Sequence, residues 1–397
     1  MWSGRHVVLG VSGGIACYKS CYLARHLTEA GARVDVVLTR SAAEFVRPVT
    51  FEALTGRPVL VSLWDRDAAL NHVRWGQQAD VVIVAPATAQ LIARMAQGLA
   101  DDALTSVLLA ATAPVLLAPA MNDEMFAHPQ TQVNLALLER RGVTLVGPEI
   151  GSLAEGPSNR PGRMSEPLAI AAHAARLMQR GSKLRGKRVV VTAGPTREPI
   201  DPVRVVTNRS SGKMGYRLAE VAWERGADVL LISGPVMLEP PVGVTVTRVD
   251  STLELEQAVR EALPTADILV MAAAPADYRP SEVSSAKRSR VDGALAIPLE
   301  PTADILRATR DARRADSIIV GFALETGDAL AKGRHKLERK ELDLIVVNDA
   351  LEPGAGTEVD TNRVAILARD GSCTIVPLAS KREVAGAILD AIEARLG

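Results

Sequence analysis

Several short stretches of this 397-residue sequence hold residue types that bind anions or steer protons. Ser12-Gly13-Gly14-Ile15 follows an apolar run and opens a helical pattern. Two glycines let backbone amides approach a ligand and a helix start favours an anion, although such a loop also serves as a plain tight turn. Thr39-Arg40-Ser41 offers hydroxyls suited to phosphate, and Thr88-Ala89-Gln90 and Met121-Asn122-Asp123-Glu124-Met125 follow further apolar runs. Mid-chain, "TNRSSGKMG" (207–215) sets a Gly-Lys pair before another helical pattern. It is not a P-loop, because the glycine five residues earlier and the hydroxyl residue after the lysine are missing. Lys336 and Lys340 are four apart, hence on one helical face, and can meet phosphates together. Each alone is an ordinary solvated lysine.

The elements that position these residues alternate. Strands are expected at 5–12, 33–39, 79–88 and 113–121, with a helix over 15–30 ended by Gly31. The pattern restarts at Lys187, with strands at 187–195, 227–235 and 266–278 and a helix over 213–225 ended by Gly226. Strands separated by helices imply right-handed crossovers and parallel sheets covered on both faces. "EAGARVDVVLT" and "ERGADVLLISG" share one device, helix, glycine stop, strand, which gives the two halves similar architecture. The expected fold class is α/β, with two doubly wound Rossmann-like domains joined through the polar "QRGSKLRGK" (179–187). At the C-terminus a hairpin around Asp370-Gly371 (364–378) and a helix over 381–396 close the chain.

Composition narrows the partners. Lys+Arg and Asp+Glu are both 46, so the net charge is zero and gives no electrostatic case for nucleic acid or an anionic membrane. No apolar run of about 18 residues suggests a span, and the N-terminus lacks a signal-peptide core. Cys17, Cys21 and Cys373 form neither a metal-ligand cluster nor a disulfide framework. A cytoplasmic enzyme is expected.

Taken together, "SGGIACYK", "APATAQLIARMAQGLADDALTS" and "PAMNDEM" make the first half resemble the flavin-dependent cysteine decarboxylases. The last stretch matches the Pro-x-Met-Asn-x-x-Met motif of that family. The resemblance implies FMN held by Gly13, Gly14, Ile15, Thr39, Ser41, Thr88, Ala89, Gln90 and Thr105. It implies a substrate held by Met121, Met125 and Arg163, with Asn122 on the carboxylate. His72 stands where the family has its catalytic histidine; with a reference pKa of about 6.5 it suits a base near the thiol. Singly, His72 reads as a surface residue and Met121 and Met125 as core; the combination points to function. The family's lid carries a proton-donating cysteine before Gly-Arg-Met. Here the segment is "SLAEGPSNRPGRM" (152–164), with Glu155 in the cysteine's place and one residue of extra length. Glu155 is either a proton donor raised by desolvation or a solvated loop residue.

The second half resembles the phosphopantothenate–cysteine ligases over "TAGPTREPIDPVRVVTNRSSGKMG" (192–215), then over "AAAPADYRP", "VGFALET", "KLERKELDLIVVND" and "DTNRVAIL". These enzymes form an acyl-cytidylate from 4'-phosphopantothenate and CTP, release pyrophosphate and let the amine of cysteine attack. By this resemblance Ser210, Ser211, Gly212 and Lys213 hold phosphopantothenate and its activated form, and Asn208 steadies the carbonyl oxygen as it reacts. CTP is then expected across Met271, Ala272, Ala273, Asp277, Ala303, Asp304, Ile305, Leu306, Phe322, Lys336 and Lys340, with Lys287 closing over the triphosphate. Departures from the family pattern are Ser289 in the basic segment, Ala303 for a usual proline and Pro275 for a usual valine. Mg2+ is implied by the triphosphate; the sequence shows no separate cage for it.

The resemblance spans nearly the whole chain and implies the bifunctional decarboxylase–ligase family of bacterial coenzyme A synthesis. It divides the sequence into an FMN-dependent decarboxylase domain (1–180), a linker (181–187) and a CTP-dependent ligase domain (188–397). The rival readings are a live ligase with an impaired or altered decarboxylase, a flavoprotein turned binding or regulatory subunit, and a sugar- or nucleotide-binding dehydrogenase. The last lacks a Gly-x-Gly-x-x-Gly with its ribose-binding acid. The family also implies a homo-oligomer in which flavin-domain trimers and ligase-domain dimers combine into a dodecamer.

Overall fold

A computed structural model describes residues 1–64, 70–287, 296–325, 327–349, 356 and 359–397. The chain divides into two compact units, Met1–Gln179 and Arg180–Gly397.

In the first unit the elements run β1 (His6–Val11), α1 (Cys17–Glu29), β2 (Arg33–Leu38), α2 (Arg40–Phe45), α3 (Pro48–Thr55), α4 (Asn71–Gln78), β3 (Val81–Ala87), α5 (Ala89–Gln97) and α6 (Ala103–Ala110). They continue with β4 (Val115–Pro119), α7 (Asp123–Ala127), α8 (Pro129–Arg140), β5 (Thr144–Leu145), β6 (Glu149–Leu153), β7 (Gly156–Arg163) and α9 (Pro167–Met178). Five strands form a parallel sheet in the order β2-β1-β3-β4-β5. Successive side chains of a strand point to opposite faces. Val7, Leu9 and Val11 accordingly enter one core, and Val8 the other. Burial on both faces is why these strands read as continuous apolar runs. The order reverses between β1 and β3, and in such sheets ligands bind outside the carboxyl ends of the strands at that reversal.

The second unit holds β8 (Arg188–Ala193), β9 (Arg197–Pro199), β10 (Val205–Thr207), α10 (Lys213–Glu224), β11 (Asp228–Ser233), β12 (Thr245–Arg248), α11 (Thr252–Ala262), β13 (Ile268–Met271) and β14 (Tyr278–Pro280). It ends with β15 (Leu299–Pro301), α12 (Ile305–Ala308), β16 (Ile318–Glu325), α13 (Ala329–Arg339), β17 (Leu344–Asp349), β18 (Thr361–Ala368), β19 (Cys373–Ser380) and α14 (Lys381–Glu393). Its eight-stranded sheet has the order β12-β11-β8-β13-β16-β17-β18-β19. The strands from β12 to β17 are parallel, and the terminal hairpin adds two antiparallel strands. The parallel part has the dinucleotide-fold order, reversing between β8 and β13. Among the described residues no helix is long and apolar enough to cross a membrane.

Two expectations change. The stretch 266–278 is not one strand: β13 stops at Met271 because the next amides are taken by side chains. Ala273 N–H donates to Thr192 Oγ1 at 3.1 Å and Ala276 N–H to Thr196 Oγ1 at 2.9 Å. The segment 181–187 is not a free linker either. Leu184 is fully buried, Ser182 Oγ donates to Glu393 Oε1 at 2.6 Å, and Lys183 Nζ donates to Leu396 O at 2.8 Å, all within the second unit. The hairpin at Asp370-Gly371 forms as expected, with Gly371 at φ 88° and Ser372 N–H donating to Asp370 Oδ1.

Candidate active sites

At the reversal in the first sheet, the loops after β1 and β3 are stitched by one hydroxyl. Ser12 Oγ donates to Pro86 O at 2.8 Å and accepts Thr88 N–H at 2.9 Å. The loop after β2 closes against the same place. A Cβ on Gly13 would stand 2.4 Å from Ser41 Cβ, so only glycine allows this approach. Thr39 caps α2 by accepting Ala42 N–H, and Thr88 caps α5 by accepting Leu91 N–H. A cavity of about 1220 Å³ opens here, lined by Gly13, Gly14, Ile15, Thr88, Ala89 and Gln90, with Met121, Asn122 and Met125 on another wall. A second cavity of about 300 Å³ shares Gly13, Thr88 and Gln90 and adds Thr39, Arg40, Ser41 and Arg94. A hydroxyl-rich pocket beside a large, mostly apolar one, with bare backbone at their junction, suits a ligand with an anionic tail and a flat ring system. These residues fit FMN.

Asn122 is half-buried, and its Oδ1 accepts Glu124 N–H at 2.9 Å, capping α7. Its Nδ2 remains able to donate into the cavity. Arg163, on the same cavity wall, donates from Nη2 to Glu149 Oε2 at 2.9 Å. Glu155 sits in the turn between β6 and β7, exposed, on the rim of the cavity.

Two expected residues are not brought in. Thr105 is 2% exposed, and its hydroxyl donates to Asp102 Oδ1 at 2.7 Å in the capping box of α6. It lines neither cavity; a short polar side chain three residues after an aspartate has a local partner within reach and takes it. His72 lies near the start of α4, and it too lines neither cavity. Its Nδ1 is buried without a hydrogen bond. Lys19, unassigned from the sequence, lines the large cavity and is 9% exposed. Its Nζ donates to Met164 O at 3.1 Å and Glu166 Oε1 at 2.8 Å. The available signal was a lysine on the buried face of α1, among Cys17, Ser20 and Leu23. Arg94 was also missed; burial works against its charge, but the hydrogen bonds it donates to Asp101 and Asp102 outweigh that and hold its pKa above the usual value. Burial pushes the Cys17 and Cys21 thiols up, and Cys17 donates to Ser12 O at 3.2 Å.

In the second unit the reversal between β8 and β13 gathers the loop 207–215 and the loop 272–277. Gly212, at φ 73°, starts α10; a Cβ there would stand 2.8 Å from Val236 Cγ1. Asn208 Nδ2 donates to Pro275 O at 2.9 Å, which ties the two loops together. Ser210 N–H donates to Asn208 O at 3.0 Å, and Ser211 Oγ is 3.5 Å from Lys213 N. Lys213 Nζ donates to Asp360 Oδ1 at 2.7 Å, and that bond holds the Asp360 carboxyl below its usual range. Lys381, missed in the sequence, is buried beside them and donates to Val359 O at 2.5 Å; burial, then Lys213, brings its pKa down to about 8.

Asp277 is exposed, and Phe322 is half-buried on β16. Lys336 pairs with Glu325, and Lys340 with Asp304 at 3.0 Å, so the two lysines already hold carboxylates. The side chains of Met271, Ile305 and Leu306 belong to the core. Ala272 and Ala273 follow β13 directly, and Ala303 precedes the Asp304 cap of α12. Lys287 is exposed; Ser289 lies outside the described residues. Among the described residues no group of three or more His, Cys, Asp or Glu is arranged to hold a metal ion.

Comparison with known proteins agrees with this division. Residues 1–179 match the family described as Flavoprotein, and residues 184–396 the DNA/pantothenate metabolism flavoprotein C-terminal domain. The chain is 49% identical over 403 residues to the Coenzyme A biosynthesis bifunctional protein CoaBC of Mycobacterium tuberculosis, covering 98% of this chain and 96% of that one. It is 44% identical over 398 residues to the protein of the same name from Vibrio cholerae, covering 99% of each. A crystal structure of the C-terminal domain of a CoaBC protein is 41% identical, with a TM-score of 0.47, covering 54% of this chain and 97% of that one. With a flavoprotein domain followed by a pantothenate-metabolism domain, and kinship along its full length, this chain belongs to the family of bifunctional coenzyme A biosynthesis proteins.

Proposed function

We propose that the second unit joins 4'-phosphopantothenate to cysteine through an acyl-cytidylate made with CTP, and that the first unit decarboxylates the product to 4'-phosphopantetheine with FMN. The observation that carries the reading is the cavity at the first reversal, where Gly13, Thr88 and Asn122 meet.

FMN, held by Gly13, Gly14, Ser41, Thr88 and Gln90, supplies reversible hydride acceptance, so the decarboxylation is redox-neutral. Asn122 Nδ2 donates to the cysteinyl carboxylate and orients the carbon–carbon bond that breaks. Met121 and Met125 supply apolar wall around the substrate's thiol-bearing carbon and exclude water. His72 takes the thiol proton. Because His72 lies outside the Asn122 cavity within one chain, a neighbouring copy supplies it. Ile15, Tyr18 and Tyr22 at the cavity are 63%, 52% and 63% exposed, an apolar rim suited to that neighbour. In the second unit, Ser210, Ser211 and the start of α10 receive the phosphopantothenoyl group. Asn208 faces the acyl carbonyl, and Lys287, Lys336 and Lys340 meet the triphosphate, which brings Mg2+ with it.

Purified protein is expected to be yellow and to release FMN on denaturation. With CTP, Mg2+, cysteine and phosphopantothenate it should release pyrophosphate and then CO2. Colourless protein that takes up no added FMN overturns the first half of the reading; pyrophosphate release independent of cysteine and phosphopantothenate overturns the second.

A further inference from the structure

The extra length of the segment 152–164 and the two acids after Asn122 have one structural explanation. β6 and β7 pair Leu153 with Gly156, Ser152 with Pro157 and Gly151 with Ser158; the register then jumps, and Ile150 pairs with Pro161. Asn159 and Arg160 therefore form a bulge in β7. A bulge bends its strand and re-aims side chains. Here Ser158 Oγ donates to Asp123 Oδ2 at 2.5 Å and accepts Arg160 N–H at 3.1 Å. Arg160 Nη1 pairs with Glu124 Oε1. Further along β7, Met121 N–H donates to Gly162 O at 3.1 Å, and a Cβ on Gly162 would stand 2.6 Å from Met121 O. Residues 121, 123 and 124 thus all meet the hairpin, and Asn122 between them lines the cavity. At the foot of the hairpin, Arg163 holds Glu149, and Lys19 of α1 holds Met164 O and Glu166.

We propose that the Ser158–Arg160 bulge is a latch that docks the β6–β7 hairpin on Asp123 and Glu124, making these four positioning residues that set the hairpin tip at Glu155 against Asn122. The inference rests on the reading of the first unit as the decarboxylase. An isolated exposed ion pair contributes little to stability. Several contacts converging on one short loop fix a geometry instead, and geometry is what an oriented carboxylate requires. The Asp123 carboxyl is held below its usual range by the hydrogen bond from Ser158, with Arg160 adding to it, so the latch is charged at neutral pH.

The test uses the full-length FMN-loaded protein with Arg160→Glu, Glu124→Arg, the double charge swap and Ser158→Ala. Hydrogen exchange over 150–162 and decarboxylation kcat/KM are read together, with ligation as internal control. Each single variant is expected to speed exchange in the hairpin and lower kcat/KM by about tenfold, the scale of a modest loss of orientation. The charge swap should bring both back to within about threefold of wild type, a rescue that loss of folding could not give. Unchanged exchange in the single variants, or no recovery in the swap, overturns the latch. Exchange that changes while kcat/KM does not overturns the positioning role. A protein that decarboxylates in no form removes the functional reading, while the exchange data still decide the latch.

Discussion

Asn122 has two duties in the proposed reading: its oxygen caps α7, and its amide nitrogen serves the ligand. Replacing it tests the two duties separately. Asn122→Ala should lose decarboxylation by about 10²–10³-fold, the worth of one well-placed donor, and also about 1 kcal/mol of stability with the cap. Asn122→Asp keeps the cap and should lose the same activity without the stability. Ligation should persist in both; Asn208→Ala should show the reverse, with acyl-cytidylate accumulating. Loss of both activities from either site in folded protein sinks the two-site reading. Glu155 is a separate case. A glutamate carries a proton near neutral pH only when burial raises its pKa by roughly 2–3 units. Glu155 is exposed in a hairpin turn. Glu155→Gln is therefore expected to turn over within about threefold of wild type, a margin too small for loss of a general acid. A stall after CO2 release would make Glu155 the donor after all.

At the scale of elements, loops after neighbouring strands build the flavin pocket, and caps hold the helices behind it. Gly13→Ala places a methyl 2.4 Å from Ser41 Cβ. It should cost about 1–3 kcal/mol of overpacking and most of the bound FMN. Thr105→Val removes half of a capping box and should cost about 1 kcal/mol with FMN retention unchanged, measured by absorbance after gel filtration. FMN loss from Thr105→Val would restore Thr105 to the cofactor site. At the opposite end of the strands, Asp35 accepts from His6 Nε2 at 2.8 Å and Arg57 Nε at 2.6 Å while 1% exposed. Burial raises its pKa, but the bonds from His6 and Arg57 outweigh it and hold the carboxyl below its usual range. A depressed carboxyl stabilises above its unfolded pKa of about 3.9, and that stability is lost as pH falls through the folded value. Thermal denaturation from pH 6 down to about pH 3 should thus fall more steeply in wild type than in Asp35→Asn. At neutral pH the variant should be less stable by about 3 kcal/mol, because Arg57 and His6 lose their partner. Parallel acid slopes would refute the assignment.

For the whole molecule, each unit has its own sheet and core, and His72 does not line the cavity where the proposed decarboxylation calls for a base. Assembly is the expected remedy. The expected assembly combines threefold contacts of the first unit with twofold contacts of the second into a dodecamer. Light scattering should therefore report about twelve chains, the number that tetrahedral closure of threefold and twofold axes requires. Mixing inactive His72→Asn with inactive Asn122→Asp protein, after dissociation and reassembly, should restore part of the decarboxylation. A stable monomer with full activity would end this proposal.

Much of this was legible in one dimension because its causes are local. Strands buried on both faces must be apolar throughout, so "RHVVLGVS" and "ADILVM" announce themselves; glycine stops end helices wherever φ must turn positive, as at Gly31 and Gly226. The loops proposed to carry the chemistry are contiguous, so "PAMNDEM" and "NRSSGKMG" were visible whole. What the tertiary structure decided are the meetings of distant residues: Gly13 against Ser41, Lys19 with Glu166, Lys213 with Asp360, and the bulge of β7 against Asp123. It also decided that Thr105 caps a helix, that Met271 and Leu306 are core, and that 181–187 is packed rather than free. The physical reason is the same in each case. A residue type states which partners it can accept, but strand order and register determine which partner arrives.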